Sequence, residues 1–266
     1  MSARASAIVI GAILKRLLAL IALPLAAVAQ STPDARSPDY SDGIDHVDHM
    51  PGMDMRDHAA VGMLMIDQLE FTHGDDSSGQ RWEVQGRYGN DLDKLWLRSE
   101  GEHEDGRLEH ADMEALWSHA VAPYWDTQLG VRHDFGTGPA RDWVAFGIEG
   151  LAPYFFETQA TFYVGSSGRT AARLRTDYDV LITQRLILQP EFEANIHGKS
   201  DPRRDIGAGL SQVDIGLRLR YEIRREFAPY VGIVWRRRFG QTADFMRDAG
   251  QSPFDAQVVA GLRIWF

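Results

Sequence analysis

From about residue 61 onward, apolar and polar residues alternate along the chain with a period of two. In the segment RLRTDYDVLI, Leu174, Thr176, Tyr178, Val180 and Ile182 share one face, with two arginines and two aspartates between them. A β-strand points successive side chains to opposite faces, so this pattern predicts strands with one apolar and one polar face. Helical spacing is not sustained anywhere in this region.

Twelve segments show this alternation, at residues 61–73, 80–89, 94–103, 107–121, 124–134, 142–151, 155–165, 170–183, 185–197, 210–223, 228–237 and 255–266. The connections after the even-numbered segments are short, whereas those after the fifth, seventh, ninth and eleventh carry Gly, Pro, Ser and charge. Short turns at one end and longer loops at the other are typical of a bacterial outer-membrane barrel. We therefore predict an all-β fold over residues 61–266, a twelve-stranded antiparallel transmembrane β-barrel. The alternative is a soluble two-sheet β-sandwich, which alternates similarly but buries its apolar face.

Charged residues crowd the polar face of the predicted strands. An arginine at the bilayer midplane costs about 2 to 4 kcal/mol, so Arg173, Arg175, Arg218 and Arg220 should point inward. Hairpin turns at residues 183–185 and at Asp105 then predict a lumen crossed by charged pairs rather than an open pore. The predicted opposed pairs are Arg175 with Glu193, Asp177 with Glu191, Arg98 with Asp112 and Glu100 with His110.

The first 29 residues have the pattern of a secretory signal peptide. Arg4, Lys15 and Arg16 supply positive charge, LLALIALPLAAV is an apolar core, and AVA before Gln30 is a small-residue cleavage site. The apolar run is shorter than the roughly 20 residues that a membrane-spanning helix needs. We expect residues 1–29 to be removed on export and the barrel to reside in the bacterial outer membrane.

Residues 30–60 are predicted to form a disordered tail on the periplasmic side. They hold three prolines, seven aspartates and few large apolar residues, a composition that cannot bury enough surface to offset the entropy of ordering. The formal charge of the whole chain is -10, and loss of the three basic residues of the signal makes it -13. This acidic balance argues against nucleic acid and favours cations as partners.

The segment DHVDHMPGMDMRDH, residues 45–58, combines three methionines, three histidines and four aspartates. The chain has no cysteine, so a metal must be held by His, Met, Asp or Glu. Thioether suits Cu(I), and imidazole accepts Cu(I) and Cu(II). We predict a copper site, with Cu(I) favoured, that uses His46, His49, Met50, Met53, Met55 and His58. The alternative is an acidic low-complexity linker without a site.

Two further groups are weaker candidates for metal ligands. Met63 and Met65 share a predicted face with Leu69 and Phe71, which favours lipid contact or packing over a relay of methionines into the barrel.

His110, Asp112 and Glu114 share an inward face and could form a luminal metal site, with ion pairing as the alternative. His103 and His197 lie near predicted strand ends. No motif of a hydrolase, metalloprotease, P-loop protein or dinucleotide site is present, so we do not expect an enzyme.

The chain resembles the copper resistance protein B family of outer-membrane proteins. The resemblance rests on the block from GLAPYFFETQATFYVG through REFAPYVG, on FGQTADF and on the Met/His-rich leader. It implies a small barrel that acts in copper tolerance, with copper binding in the Met-rich N-terminal region, here Met50, Met53 and Met55. The single MPGMDM element implies one or two ions.

These observations predict copper homeostasis and resistance at the outer membrane, by sequestration of periplasmic copper or its outward passage. Copper ions, outer-membrane lipid and periplasmic copper-binding proteins are the expected partners. Two alternatives remain, a general small-solute porin and an outer-membrane lipid-hydrolysing enzyme.

Overall fold

The computed structural model describes residues 60–74, 78–104 and 106–266. The strands are β1 (Val61–His73), β2 (Ser78–Gly89), β3 (Asp93–Glu104), β4 (Arg107–Ala122), β5 (Trp125–Gly136), β6 (Arg141–Ala152), β7 (Phe156–Gly165), β8 (Arg169–Asp177 and Val180–Leu181), β9 (Leu186–His197), β10 (Gly209–Tyr221), β11 (Phe227–Arg238) and β12 (Phe254–Trp265). One α-helix, α1 (Gly240–Asp248), lies between β11 and β12. Within these ranges no helix is long and apolar enough to cross a bilayer.

Each strand pairs antiparallel with the next along the chain, and the last strand pairs with the first. β1 and β12 are joined from Met65 opposite Trp265 to His73 opposite Val258. The sheet therefore closes into a twelve-stranded barrel in which every strand has a neighbour on both sides. The predicted fold is confirmed, and each of the twelve alternating segments is one of its strands.

The two ends of the barrel differ in the length of their connections. One end, which we call the short-turn end, carries the connections from β2 to β3, β4 to β5, β6 to β7, β8 to β9 and β10 to β11. The other, the loop end, carries the two longest connections, residues 198–208 and 239–253. The connection after β7 is only the 3-10 turn Ser166–Gly168, shorter than its Gly and Ser content suggests.

The alternation sorts side chains to the outside and to the lumen. Large apolar residues are exposed on the outer face, with Leu97 at 55%, Val131 at 58% and Phe146 at 58%. Charged residues are buried inside, including Glu70 at 2% and Arg218 at 3%. An apolar exterior around a polar interior is the arrangement that a lipid-embedded barrel requires.

The hairpin predictions are confirmed in one case and wrong in the other. Arg175 lies opposite Glu193 and Asp177 opposite Glu191. In the hairpin of β3 and β4 the prediction is wrong by two residues, because the connection is 105–106 and a bulge follows it. The observed pairs are Arg98 with Glu114, Glu100 with Asp112 and Glu102 with His110.

A second bulge corrects the placement of the first methionines of the barrel. The register of β1 shifts between Ile66 and Gln68, and one extra residue in a strand reverses which face its neighbours occupy. Met63 and Met65 therefore do not share the outer face of Leu69 and Phe71. They pair with Arg87 and Gln85 on the luminal face, and the Met65 sulfur lies 3.4 Å from Nη2 of Arg263.

Candidate functional site

Ion pairs cross the middle of the lumen from one wall to the other. Strand β8 lies opposite β2 and β3 in the ring of twelve. From β8, Arg175 Nη1 reaches Glu83 Oε1 at 2.6 Å, and Arg173 Nη1 donates to Glu100 Oε1 at 2.6 Å. We call Arg173, Arg175, Glu83 and Glu100 the central clamp. Its side chains therefore bridge the lumen from opposite walls.

A second group of pairs reinforces the clamp beside β1 and β9. Arg218 on β10 binds Glu70 on β1 at 3.1 Å and Glu191 on β9 at 2.8 Å. Tyr230 also donates its hydroxyl to Glu70 at 3.0 Å. From β11, Arg236 reaches Glu102 on β3 at 3.0 Å. The four arginines predicted to face inward do so, and Arg220 pairs with Asp179 at 2.7 Å.

The predicted luminal group of His110, Asp112 and Glu114 is brought together, but around an arginine. Arg132 lies 2.9 Å from Asp112, 3.5 Å from Glu114 and 2.6 Å from Asp134. Glu114 also accepts a hydrogen bond of 2.7 Å from Tyr163. In the described part of the chain, no group of three or more His, Cys, Asp or Glu side chains is arranged to hold a metal ion.

Aromatic side chains occupy the part of the lumen between β3 and β7, a feature that the sequence analysis missed. Trp96, Leu116, Trp143, Ala145 and Tyr163 form one buried cluster. Guanidinium groups stack on its rings, with Arg98 4.8 Å from the Trp96 centroid, Arg132 4.9 Å from Tyr163 and Arg141 5.4 Å from Trp143. Aromatic residues suit both the lipid-facing side of a barrel and a packed lumen. Composition alone therefore does not show which of them face inward.

Above the clamp, towards the loop end, lies a cavity of about 690 Å³. We call it the outer cavity, and His110, His197 and Met246 are among its lining residues. Residues 198–208 lie over this end. Asp201 binds Arg141 at 3.3 Å and Arg169 at 3.5 Å.

Arg204 donates two hydrogen bonds, of 2.7 and 3.0 Å, to the Pro139 carbonyl. Helix α1 contributes Thr242, whose hydroxyl accepts a 2.8 Å hydrogen bond from Gly207 N–H. The two long loops are therefore tied to each other, to strands β6 and β8 and to the connection between β5 and β6.

The strongest sequence candidates lie outside the described residues. They are His46, His49, Met50, Met53, Met55 and His58, together with the signal peptide and the rest of the tail. Their role remains a prediction. Of the weaker candidates, Met63 and Met65 lie on the luminal face at the short-turn end, and His110 borders the outer cavity.

Comparison with known proteins is consistent with this architecture. Over most of its length the chain is similar to two curated proteins. It is 46% identical over 215 residues to the copper resistance protein B homolog of Pseudomonas syringae pv. tomato, which covers 81% of this chain and 73% of that protein. It is 44% identical over 218 residues to copper resistance protein B of Escherichia coli, which covers 82% and 74%.

Among solved structures, the porin NanC matches with a TM-score of 0.53 at 12% identity, covering 76% of this chain and 98% of that one, a likeness of fold alone. The family model described as copper resistance protein B precursor matches residues 60–266. This match spans the whole barrel. The chain therefore belongs to the copper resistance protein B family.

Proposed function

We propose that this protein protects the cell from copper by binding the ion at the periplasmic face of the outer membrane. Family membership supports a copper-resistance role. The central clamp favours retention of copper over its free diffusion through the barrel, because Arg175 and Glu83 join opposite walls at 2.6 Å. Copper that enters such a lumen must displace an ion pair before it can pass.

The binding element of this proposal is the segment of residues 45–58. Its thioethers suit Cu(I), its imidazoles suit both oxidation states, and its aspartates raise the local concentration of cations. The segment precedes β1 in the chain, so the barrel serves as its membrane anchor. The charged lumen is then either a regulated route by which copper leaves the periplasm, or closed to copper. In the second case the protein only sequesters the ion.

The test is Cu(I) bound per mature protein by equilibrium dialysis. The full mature chain is compared with a variant in which Met50, Met53 and Met55 are replaced by Leu, which preserves size but removes the sulfur. We expect the variant to lose most of its bound Cu(I), and cells that carry it to lose copper tolerance. Unchanged binding together with unchanged tolerance would exclude the segment as the site.

We also infer that the protein is neither an enzyme nor a general porin. The purified protein should release no fatty acid from outer-membrane phospholipid. Its solute permeability in liposomes should be far below that of an open barrel, because the clamp occupies the lumen.

A further inference from the structure

We propose that Arg141 and Arg169 form an anion site at the loop end of the barrel, and that Asp201 occupies this site as an internal ligand that a phosphate group displaces. Arg141 begins β6 and Arg169 begins β8, whereas Asp201 belongs to the loop of residues 198–208. The ligand is phosphate, either free in solution or carried by a lipid headgroup. The proposal is independent of copper binding, because neither arginine belongs to the predicted metal segment or to the central clamp.

Two guanidiniums from different strands meet at one oxygen of Asp201. Nη1 of Arg141 lies 3.3 Å from Asp201 Oδ2, and Nη2 of Arg169 lies 3.5 Å from the same atom. A single anion therefore contacts both cationic groups. The side chains of Asp201 and Arg141 are 5% and 6% exposed, but that of Arg169 is 33% exposed, so solvent reaches the site along Arg169.

The positive charge of Arg141 is only partly compensated. It also lies 3.5 Å from Asp134, but its buried Nε makes no hydrogen bond to any described residue. Asp134 is already held by Arg132 at 2.6 Å and by the indole N–H of Trp143 at 2.8 Å. Arg141 therefore keeps a buried donor without an acceptor.

A phosphate group matches this pair of arginines better than the aspartate does. Charged N–H···O bonds are typically about 2.7 to 2.9 Å long, and both contacts to Asp201 are longer than that. Phosphate has several acceptor oxygens and binds arginine in a bidentate manner, so each guanidinium can have an oxygen of its own. Chloride cannot form such paired bonds, and we expect the site to prefer phosphate. The outer cavity, about 690 Å³ and lined by Arg141, leaves room for the group.

The loop presents Asp201 on a preformed turn. Asp201 N–H donates to the Ile206 carbonyl at 2.7 Å, Ile206 N–H donates back at 3.2 Å, and Arg204 N–H donates to the Asp201 carbonyl at 3.0 Å. Gly198 and Gly209 flank this turn, and Gly209 has a φ of 92°, which favours glycine. The turn can therefore leave the two arginines as one unit, with its internal hydrogen bonds intact.

The first experiment titrates the full mature chain, folded in neutral detergent, with inorganic phosphate in a calorimeter. Chloride keeps the ionic strength constant. In the parent protein Asp201 competes with phosphate for the arginines. The variant D201N removes the competing charge, so its affinity for phosphate should be about tenfold higher or more, because the site is then free in most molecules. We expect one phosphate per barrel.

Two further changes, made together with D201N, test the location of the site. R169Q/D201N removes one guanidinium and should lose most of the phosphate binding that D201N shows. R203Q/D201N is the matched control, because Arg203 is exposed on the same loop and its loss should leave the affinity unchanged. Heat-modified migration on gels verifies folding of each variant.

Amide hydrogen exchange in the parent protein measures displacement of the loop itself. Added phosphate should make exchange faster across residues 198–208. Chloride at the same ionic strength screens charge equally but should leave the exchange rate unchanged. In D201N the loop is already released, so phosphate should have little further effect.

Mixed micelles of neutral detergent and lipid A test the second source of the phosphate group, with dephosphorylated lipid A as the control. If intact lipid A binds D201N and inorganic phosphate does not, the ligand is a lipid headgroup. If neither binds, or if D201N and R169Q/D201N bind phosphate equally well, Arg141 and Arg169 do not form an anion site.

Discussion

Arg218 is the best-enclosed cation of the lumen. It is 3% exposed and contacts Glu70 and Glu191. Substitution by Ala would leave Glu70 buried without its cation, and removing one partner of a buried pair costs about 3 to 5 kcal/mol. We expect R218A to lower the free energy of unfolding by that amount, measured by urea titration in detergent micelles.

The control for this substitution is R247A on α1. Arg247 pairs with Asp244 at 2.7 Å, but both side chains are more than half exposed, and an exposed pair contributes about 0 to 1 kcal/mol. If R218A and R247A lower the free energy of unfolding by the same small amount, the buried network does not stabilise the barrel.

At the scale of strands, most of the fold follows from the sequence, because lipid on one side and charge on the other enforce strict alternation. Strand positions are therefore readable, and so is the inward direction of Arg173 and Arg175. Bulges are not readable, since one extra residue leaves the local alternation intact on either side of it.

The bulges determine the parts of the candidate sites that sequence reasoning got wrong or did not find. One at Asp67 turned Met65 into the lumen, and one at Ser211 placed a hydroxyl beside His197. His197 and Ser211 are 14 residues apart on different strands, with no motif that links them. Only the paired register reveals the contact.

The loop of residues 198–208 is held by contacts that can be removed singly. Asp201 is 4% exposed and faces both Arg141 and Arg169. We expect D201N to release the loop, because a neutral amide replaces the charge shared by two arginines. The measurement is amide hydrogen exchange, which should become faster across residues 198–208.

The matched control here is D142N. Asp142 is 86% exposed and pairs only at the rim with His133, so exchange in the same loop should not change. If D201N exchanges like the parent protein, the loop is held by its contacts with α1 rather than by Asp201.

For the whole molecule, the question is whether the barrel conducts. The central clamp bridges the lumen from opposite walls, so we expect the parent protein to show very low conductance in planar bilayers. The variant R173Q/R175Q removes both clamp arginines and leaves Glu83 and Glu100 without those partners. We expect measurable channels that prefer cations, because the freed carboxylates then dominate the field in the constriction.

R225Q carries the same type of change outside the lumen, since Arg225 is 79% exposed at the short-turn end, and it should remain closed. The double variant R175Q/E83Q removes both charges of the pair but keeps side chains of similar size. It therefore tests whether charge or side-chain volume closes the lumen. If the ion pair closes the lumen, removing both charges should raise conductance while leaving no unpaired carboxylate at Glu83. Low conductance in both clamp variants would instead show that the aromatic cluster around Trp96 and Tyr163 blocks the lumen. That cluster would then be the barrier to ion passage.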